Sequence, residues 1–314
     1  MLTYIVRRLL LSVVVLFLVT ILSFAIIQII PGDPAAMMLG TEASPEQIAD
    51  LRHELYLDRP VVVQYWYWVS HAVQGDLGKS LKYQESITKV IAERMPVTLN
   101  LTIMSLLLSV VLGIAAGIIC AVRRGSTVDS IVTVLANLGI AVPTFWLGIL
   151  GIYFFGLKMG WLPIQGYVSP FEDFWLSVRK CIMPVICMAI PSIAVLARQT
   201  RSSMLDVIRQ DYIRTAWSKG LKERSIILNH ALKNALIPIV TLLGLQLRLV
   251  VGGSVVVETV FNIAGMGRLI VSSTFSRDFV AIQAVTLIIA IVVLFANLLV
   301  DISYGWLDPR IRYS

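Results

Sequence analysis

The stretch DYIRTAWSKGLKERSIILNHALKNALIP, Asp211 to Pro238, is basic, helix-prone and nearly free of long apolar runs. It lies between two segments apolar enough to enter a bilayer, Ile182–Ala197 and Ile239–Val257. Asp211–Lys219 holds good helix formers and neither Gly nor Pro. Tyr212, Ala216 and Lys219 share one face at i, i+4, i+7 spacing, and Gly220 stands where a C′ residue would end the helix. A second helical stretch, Lys222–Leu236, carries Ile226, Ile227, Ala231 and Ala235 up to Pro238. The expectation is two short helices meeting at a Gly-Leu turn. Small residues Thr215, Ala216 and Gly220 admit a close backbone approach, and Arg214, Lys219, Lys222 and Arg224 surround them with donors. Such a surface suits the docking of a partner protein. A basic loop that only fixes topology is the alternative.

Working outward, the chain has 314 residues, 57% hydrophobic and 14% charged, the composition of an all-α polytopic membrane protein. A hydrocarbon core needs about 20 apolar residues per helix. Runs of that kind are Leu9–Ile30, Val97–Val122, Ile131–Leu157, Ile182–Ala197, Ile239–Val257 and Val280–Val300, which predicts six transmembrane helices. The fourth is the weakest, because Pro184 and Pro191 interrupt it. The first follows Arg7 and Arg8, is longer than a signal-peptide core and lacks an A-x-A site, so it reads as a retained signal-anchor.

Loop charge sets the orientation. With the N-terminus inside, the inner segments hold Arg7, Arg8, Arg123, Arg124, Arg310, Arg312 and eight Lys/Arg between Arg198 and Lys233. The outer segment Pro31–Pro96 has six Lys/Arg against nine Asp/Glu. Both termini are therefore expected in the cytoplasm, and the net charge of +7 is positive-inside bias that calls for no nucleic acid. Cys120, Cys181 and Cys187 lie in or beside apolar runs, as free thiols packed among helices, without zinc-type spacing.

Three parts follow: residues 1–30 with the first span, an extracytoplasmic segment 31–96, and a five-helix core 97–314 with a cytoplasmic loop over 198–237. The outer segment opens with the turn PGDPA, and SPEQIADLRHEL reads as a helix with Ser44 as N-cap and Pro45 at its first position. Tyr65, Trp66, Tyr67 and Trp68 form either an interfacial aromatic belt or the small core of this segment. Arg248, in GLQLRLVVGG, sits mid-span, where a charge costs about 2.5–3.5 kcal/mol on insertion scales. It either lines a path and attracts anionic groups or pairs with a carboxylate on another subunit. Gly252 and Gly253 follow, permitting close packing or a local break, and Gln246 is one of several polar residues suited to interhelical hydrogen bonds. No acidic residue falls deep within a predicted span.

RTAWSKGL followed by NALIP resembles the "EAA" loop of bacterial ABC importer permeases, in particular the dipeptide/oligopeptide/nickel family. IVRRLL, PGDPA, LDRPVVVQYW, GDLGKS, GGSVVVETVF and LDPRIR fit that family in the same order, so the resemblance covers nearly the whole chain. It implies a type I importer permease in a bacterial inner membrane, its EAA loop seated as a coupling helix in a groove of a cytoplasmic ATPase. Carried over, Arg214, Thr215, Ala216, Lys219, Gly220 and Leu221 are the ATPase-coupling positions; Arg248, Gln246, Gly252 and Gly253 are candidates for the translocation path from their place in the fifth run, and the family often has Gly or another small residue where Arg248 stands. Arg214 and Thr215 depart from the E-A-A consensus, Trp217 and Ser218 replace smaller or more basic residues, and Ala264 stands where the family's outer F-x-x-P-G-x-G turn has Pro.

The resemblance also implies partners: a homologous second permease, two ATPase subunits that carry ATP and Mg, an extracytoplasmic substrate-binding protein and the surrounding lipid. This chain has no Walker A pattern, so no cofactor is expected on it. The cargo reading is peptides, with nickel, another chelated metal or a small solute as alternatives. A membrane enzyme is disfavoured by the lack of G-x-S-x-G or H-E-x-x-H, and the three histidines, His53, His71 and His230, fall outside the predicted spans, so neither catalytic nor metal residues are expected. A gradient-driven secondary transporter is the rival from another class, disfavoured by the absence of acids within spans.

Overall fold

The computed structural model describes residues 2–29, 33–40 and 43–307. In chain order the helices are α1 Leu2–Ile29, α2 Pro34–Leu39, α3 Pro45–Glu54, α4 Val61–Val73, α5 Ile87–Val122, α6 Thr127–Ala141, α7 Thr144–Gly151, α8 Phe174–Ile208, α9 Asp211–Ser218, α10 Glu223–Ser225, α11 Leu232–Val260, α12 Met266–Phe275 and α13 Phe279–Leu307. π-helical turns continue α7 over Ile152–Lys158 and precede α11 over Ile226–Ala231. Among the described residues, four helices are long and apolar enough to cross a membrane, or six if each of two bent pairs counts as one span.

The bends and the prolines revise the expected spans. The third run is not one helix: α6 and the α7 segment meet at 102°. Pro143 has no amide hydrogen, and it forces the residue before it out of the helical region; Val142 accordingly adopts φ −81°, ψ 125°. The fourth run, by contrast, is uninterrupted. Pro184 and Pro191 both lie inside the 35-residue helix α8. Their freed carbonyls are tolerated where neighbouring helices enclose the segment. The second span begins earlier than expected, with Pro96 inside α5, and Pro238 lies inside α11 at a 48° bend.

The chain divides into two compact units, residues 1–96 with 265–298, and residues 97–264 with 299–314. In the first, Ser44 and Gln47 close a reciprocal capping box on α3, and Asp33 caps α2 while accepting a 2.6 Å ion pair from Arg52. The Tyr65 hydroxyl lies 2.8 Å from Thr20 Oγ1, and its ring packs edge-on against Phe24. Trp68 packs against a core built on Leu77, Ile87, Ile91, Leu269 and Val285. Trp66 is exposed and Tyr67 stacks on Tyr56. The four consecutive aromatics are thus divided between core and surface. Asp278, itself buried, receives the Ser80 hydroxyl, the Lys82 amide and the Ala281 amide, which ties the turn before α5 to the start of α13.

The second unit is built around α8, which packs on α6, α7 and α11. Its core contains Leu101, Met183, Cys187, Val257 and Phe261. Gly113 and Gly117 on α5 form a G-x-x-x-G pair whose spacing the predicted spans did not register. A Cβ at Gly113 would lie 2.7 Å from Leu196 Cβ, and one at Gly117 2.4 Å from Thr200 Cβ and 2.6 Å from the Ala197 carbonyl. The two backbones therefore meet with no room for a side chain between them. At the ends of α6 and α8, Arg201 grips Asp129 bidentately at 2.7 and 2.8 Å, and the Gly125 amide donates to the same carboxylate at 3.0 Å.

Two stability measurements check this packing. Gly117→Leu should cost about 1–3 kcal/mol through overpacking, whereas Gly252→Ala, inside α11 with nothing within 4 Å of a Cβ there, should stabilise the purified chain by about 0.5–1 kcal/mol. Asp129→Ala should cost about 1.5–3 kcal/mol through lost charge-assisted bonds to a buried carboxylate. Asp211→Ala, at the exposed 3.5 Å pair with Arg214, should cause no measurable change. Equal effects within either pair would contradict these contacts.

Candidate functional site

The block between α8 and α11 folds as a short amphipathic helix on a seat. After Arg209 and Gln210, α9 turns its apolar side inward: Ile213 is fully buried and Ala216 nearly so. They join a cluster with Met204 from α8, Ile226 and Ala231 from the π turn, and Ala235 from α11. The Asn234 amide donates to the Tyr212 hydroxyl at 2.8 Å and fastens the outer edge of α9 to α11. Two long helices, α8 and α11, thereby hold the short helix that connects them.

α9 ends in a Schellman motif. The Gly220 amide donates to the Trp217 carbonyl at 2.9 Å, and the Leu221 amide to the Ala216 carbonyl at 3.4 Å. Gly220 adopts φ +71°, in the left-handed region, with open space where a Cβ would point. The reason for glycine here is therefore backbone conformation and not close packing. Leu221 emerges at 40% exposure beside Trp217 at 47%.

The six coupling positions divide between the two faces. Arg214, Thr215, Lys219, Gly220 and Leu221 are exposed; Ala216 is directed into the seat. Its small size serves the approach of α9 to its own chain. Among the small residues, Thr215 spends its hydroxyl on the Asp211 carbonyl at 3.0 Å, and Ser218 likewise on Arg214 at 3.1 Å. Trp217 is the largest apolar side chain on the outward face. The expected grouping of Tyr212, Ala216 and Lys219 on one face gives way to a buried Ile213–Ala216 pair three residues apart, because the short helix presents its narrow apolar stripe inward.

The four path candidates fare differently. Gln246 is buried, and its Oε1 accepts the Ser192 hydroxyl at 3.0 Å, which locks α11 to α8. Gly252 is exposed, with nothing within 4 Å of a notional Cβ, and α11 continues through it, so neither close packing within this chain nor a local break occurs there. The side chain of Arg248 and the surroundings of Gly253 lie outside the described residues. Glu258, expected just beyond the fifth span, lies inside α11 and is fully buried, where the Thr98 hydroxyl of α5 donates to it at 2.6 Å. α11 thus extends past the predicted span Ile239–Val257 and carries this carboxylate within its helical body. Its signal in sequence is only its place, one residue past an apolar run.

Among the described residues, no group of three or more His, Cys, Asp or Glu is arranged to hold a metal ion. Cys120, Cys181 and Cys187 are free and buried.

Comparison with known proteins gives this arrangement its family. Residues 113–313 match the binding-protein-dependent transport system inner membrane component, and residues 1–102 match the N-terminal region of the same kind of membrane component. The chain is 42% identical over 311 residues to a putative peptide transport system permease protein of Brucella abortus (strain 2308), covering 99% of both chains. It is 43% identical over 314 residues, the whole of both chains, to the glutathione transport system permease protein GsiC of Escherichia coli O6:H1. In fold it is similar to the methionine ABC transporter MetNI in an inward facing conformation, with a TM-score of 0.56 at 18% identity over 70% of this chain and 96% of that one. This helical protein with several apolar spans is a multi-pass inner membrane permease of the ABC importer type, and the chain belongs to the family of binding-protein-dependent transport system inner membrane components.

Proposed function

We propose that this permease forms half of the path of an ATP-driven importer for short peptides. A homologous second permease completes the path, two cytoplasmic ATPase subunits supply the energy, and an extracytoplasmic protein delivers the cargo. The observation that carries the reading is α9: an amphipathic helix seated by Ile213 and Ala216 that, with the turn after it, presents Arg214, Trp217, Lys219 and Leu221 outward. The peptide and glutathione transport named for full-length relatives above 40% identity supports the cargo class.

In this reading the ATPase grips the outward face, and ATP-driven closure pushes α9 as a rigid lever. The seat joins α9 to Met204 of α8 and Ala235 of α11, so the push reaches both helices together. Such a step biases a bistable bundle between two states. The positive-inside distribution supports a cytoplasmic position for α9 and both termini.

ATP-dependent uptake in proteoliposomes that hold both permeases and the ATPases, with the binding protein added, tests the proposal. Labelled di- to pentapeptides are expected to enter and nickel is not. Gly220→Val should lower uptake at least tenfold and weaken ATPase co-purification, because a β-branched residue resists φ +71°. Gly220→Asn, which tolerates that conformation, should retain most activity. Full uptake by Gly220→Val would remove the coupling role of this turn, and nickel uptake without peptide uptake would replace the cargo.

A further inference from the structure

The first unit contains a cavity of about 470 Å³ that coupling and the path do not use. It lies within the size range of small-ligand clefts, about 300–1,000 Å³. Its lining combines aromatic faces with both signs of charge. Tyr67, Trp68 and Phe279 supply apolar walls, Glu54 and Asp76 supply carboxylates, and Lys79 supplies an ammonium group. Among the described residues, these three charged groups form no ion pair within the chain.

The walls are held in place independently of any ligand. Gln64, buried on α4, donates to the Leu57 and Arg59 carbonyls and accepts from Gln28 of α1, so one side chain fixes three segments around the cavity. Asp76 and Lys79 lie on a turn shaped by Gly78 at φ +86°, where a Cβ would come 2.8 Å from Val280 Cγ1. The Asp76 carboxylate accepts the Gly78 amide at 3.0 Å, which leaves its other oxygen for a ligand. The turn is pinned in addition by the hydrogen bonds of Ser80 and Lys82 to Asp278, next to Phe279 in sequence. Fixed walls reduce the ordering cost of binding.

We propose that this cavity is a vestibule site for the zwitterionic backbone of a short peptide. A free peptide carries an ammonium at one end, with an ordinary pKa of about 7.7–8.0, and a carboxylate at the other. Glu54 and Asp76 receive the ammonium, Lys79 receives the carboxylate, and side chains of varied kind lie against Tyr67, Trp68 and Phe279. Charged ends and permissive apolar walls select for being a short peptide and not for one sequence. The proposal rests on the peptide reading of the cargo, and places a recognition step on the permease in addition to that of the delivering protein.

The test uses the assembled importer in nanodiscs without the binding protein, and measures equilibrium binding of a labelled tripeptide. Saturable binding is expected, about tenfold weaker for Asp76→Asn and Glu54→Gln, and similarly weaker for Lys79→Gln. N-acetylation of the tripeptide should weaken binding to the parent importer but cost little more in Asp76→Asn. C-terminal amidation should show the same relation to Lys79→Gln. That coupling separates direct recognition from a general loss of shape. Unchanged unfolding temperatures of the near-isosteric variants are the control for folding. Absence of saturable binding, or equal binding by all three variants, overturns the site. Uptake of the same tripeptide with the binding protein present distinguishes the two failures: uptake without vestibule binding removes only this site, and no uptake removes the peptide reading as well.

Discussion

An apolar layer offers no hydrogen-bond partners, and every buried polar group must find one inside the protein. The second unit can be understood from that constraint. Its spans are helices because helices satisfy their own backbone. Its few polar side chains become fixed links between helices: Thr98 to Glu258 joins α5 to α11, Ser192 to Gln246 joins α8 to α11, and Arg201 to Asp129 joins α8 to α6. Each link sets the register of a pair whose apolar surfaces alone would allow sliding. Gly113 and Gly117 add the complementary constraint of distance, bringing α5 onto α8 backbone to backbone.

α8 recurs in most of these contacts, and it also provides part of the seat for α9. Met204 lies beneath Ile213 and Ala216 in the same cluster, a short way along the helix from Arg201. The helix proposed to dock the ATPase is therefore continuous with the part that organises the bundle. The π turn at Ile226–Ala231 lies on the other side of the seat and leads into α11. Such turns recur at functional positions because they re-aim a helix without ending it. The outward face of α9 is apolar as well as basic, through Trp217 and Leu221. A partner surface that meets it gains area burial in addition to charge complementarity.

The first unit follows a different rule. Its aromatic-rich α4 is neither wholly a belt nor wholly a core: Tyr65 and Trp68 pack toward α1 and the core, while Trp66 faces outward. Polar networks around Gln64 and Asp278 brace the loops between the helices and leave a cavity among them. Where the second unit uses hydrogen bonds to register spans, the first uses them to hold loops.

Composition determined that the chain is a helical membrane protein, and local chemistry determined many of its ends. Ser44 with Pro45 predicts the start of α3, and Gly220 predicts the end of α9, because capping depends on a few neighbouring atoms. The charged block Asp211–Pro238 likewise shows its helix, its turn and its family resemblance in one dimension. Tertiary structure alone decided which prolines matter. Pro143 breaks its run and Pro184 does not, although both sit in apolar sequence. Pro184 is buried within α8, whereas Pro143 is exposed at the bend between α6 and α7. It also decided which side of α9 faces the chain, turning Ala216 inward, and it brought Glu258 to Thr98 and Arg201 to Asp129 from 160 and 72 residues away. Short-range sterics leave a pattern in neighbouring residues; the pairing of buried polar groups depends on which helices become neighbours, and sequence order does not state that.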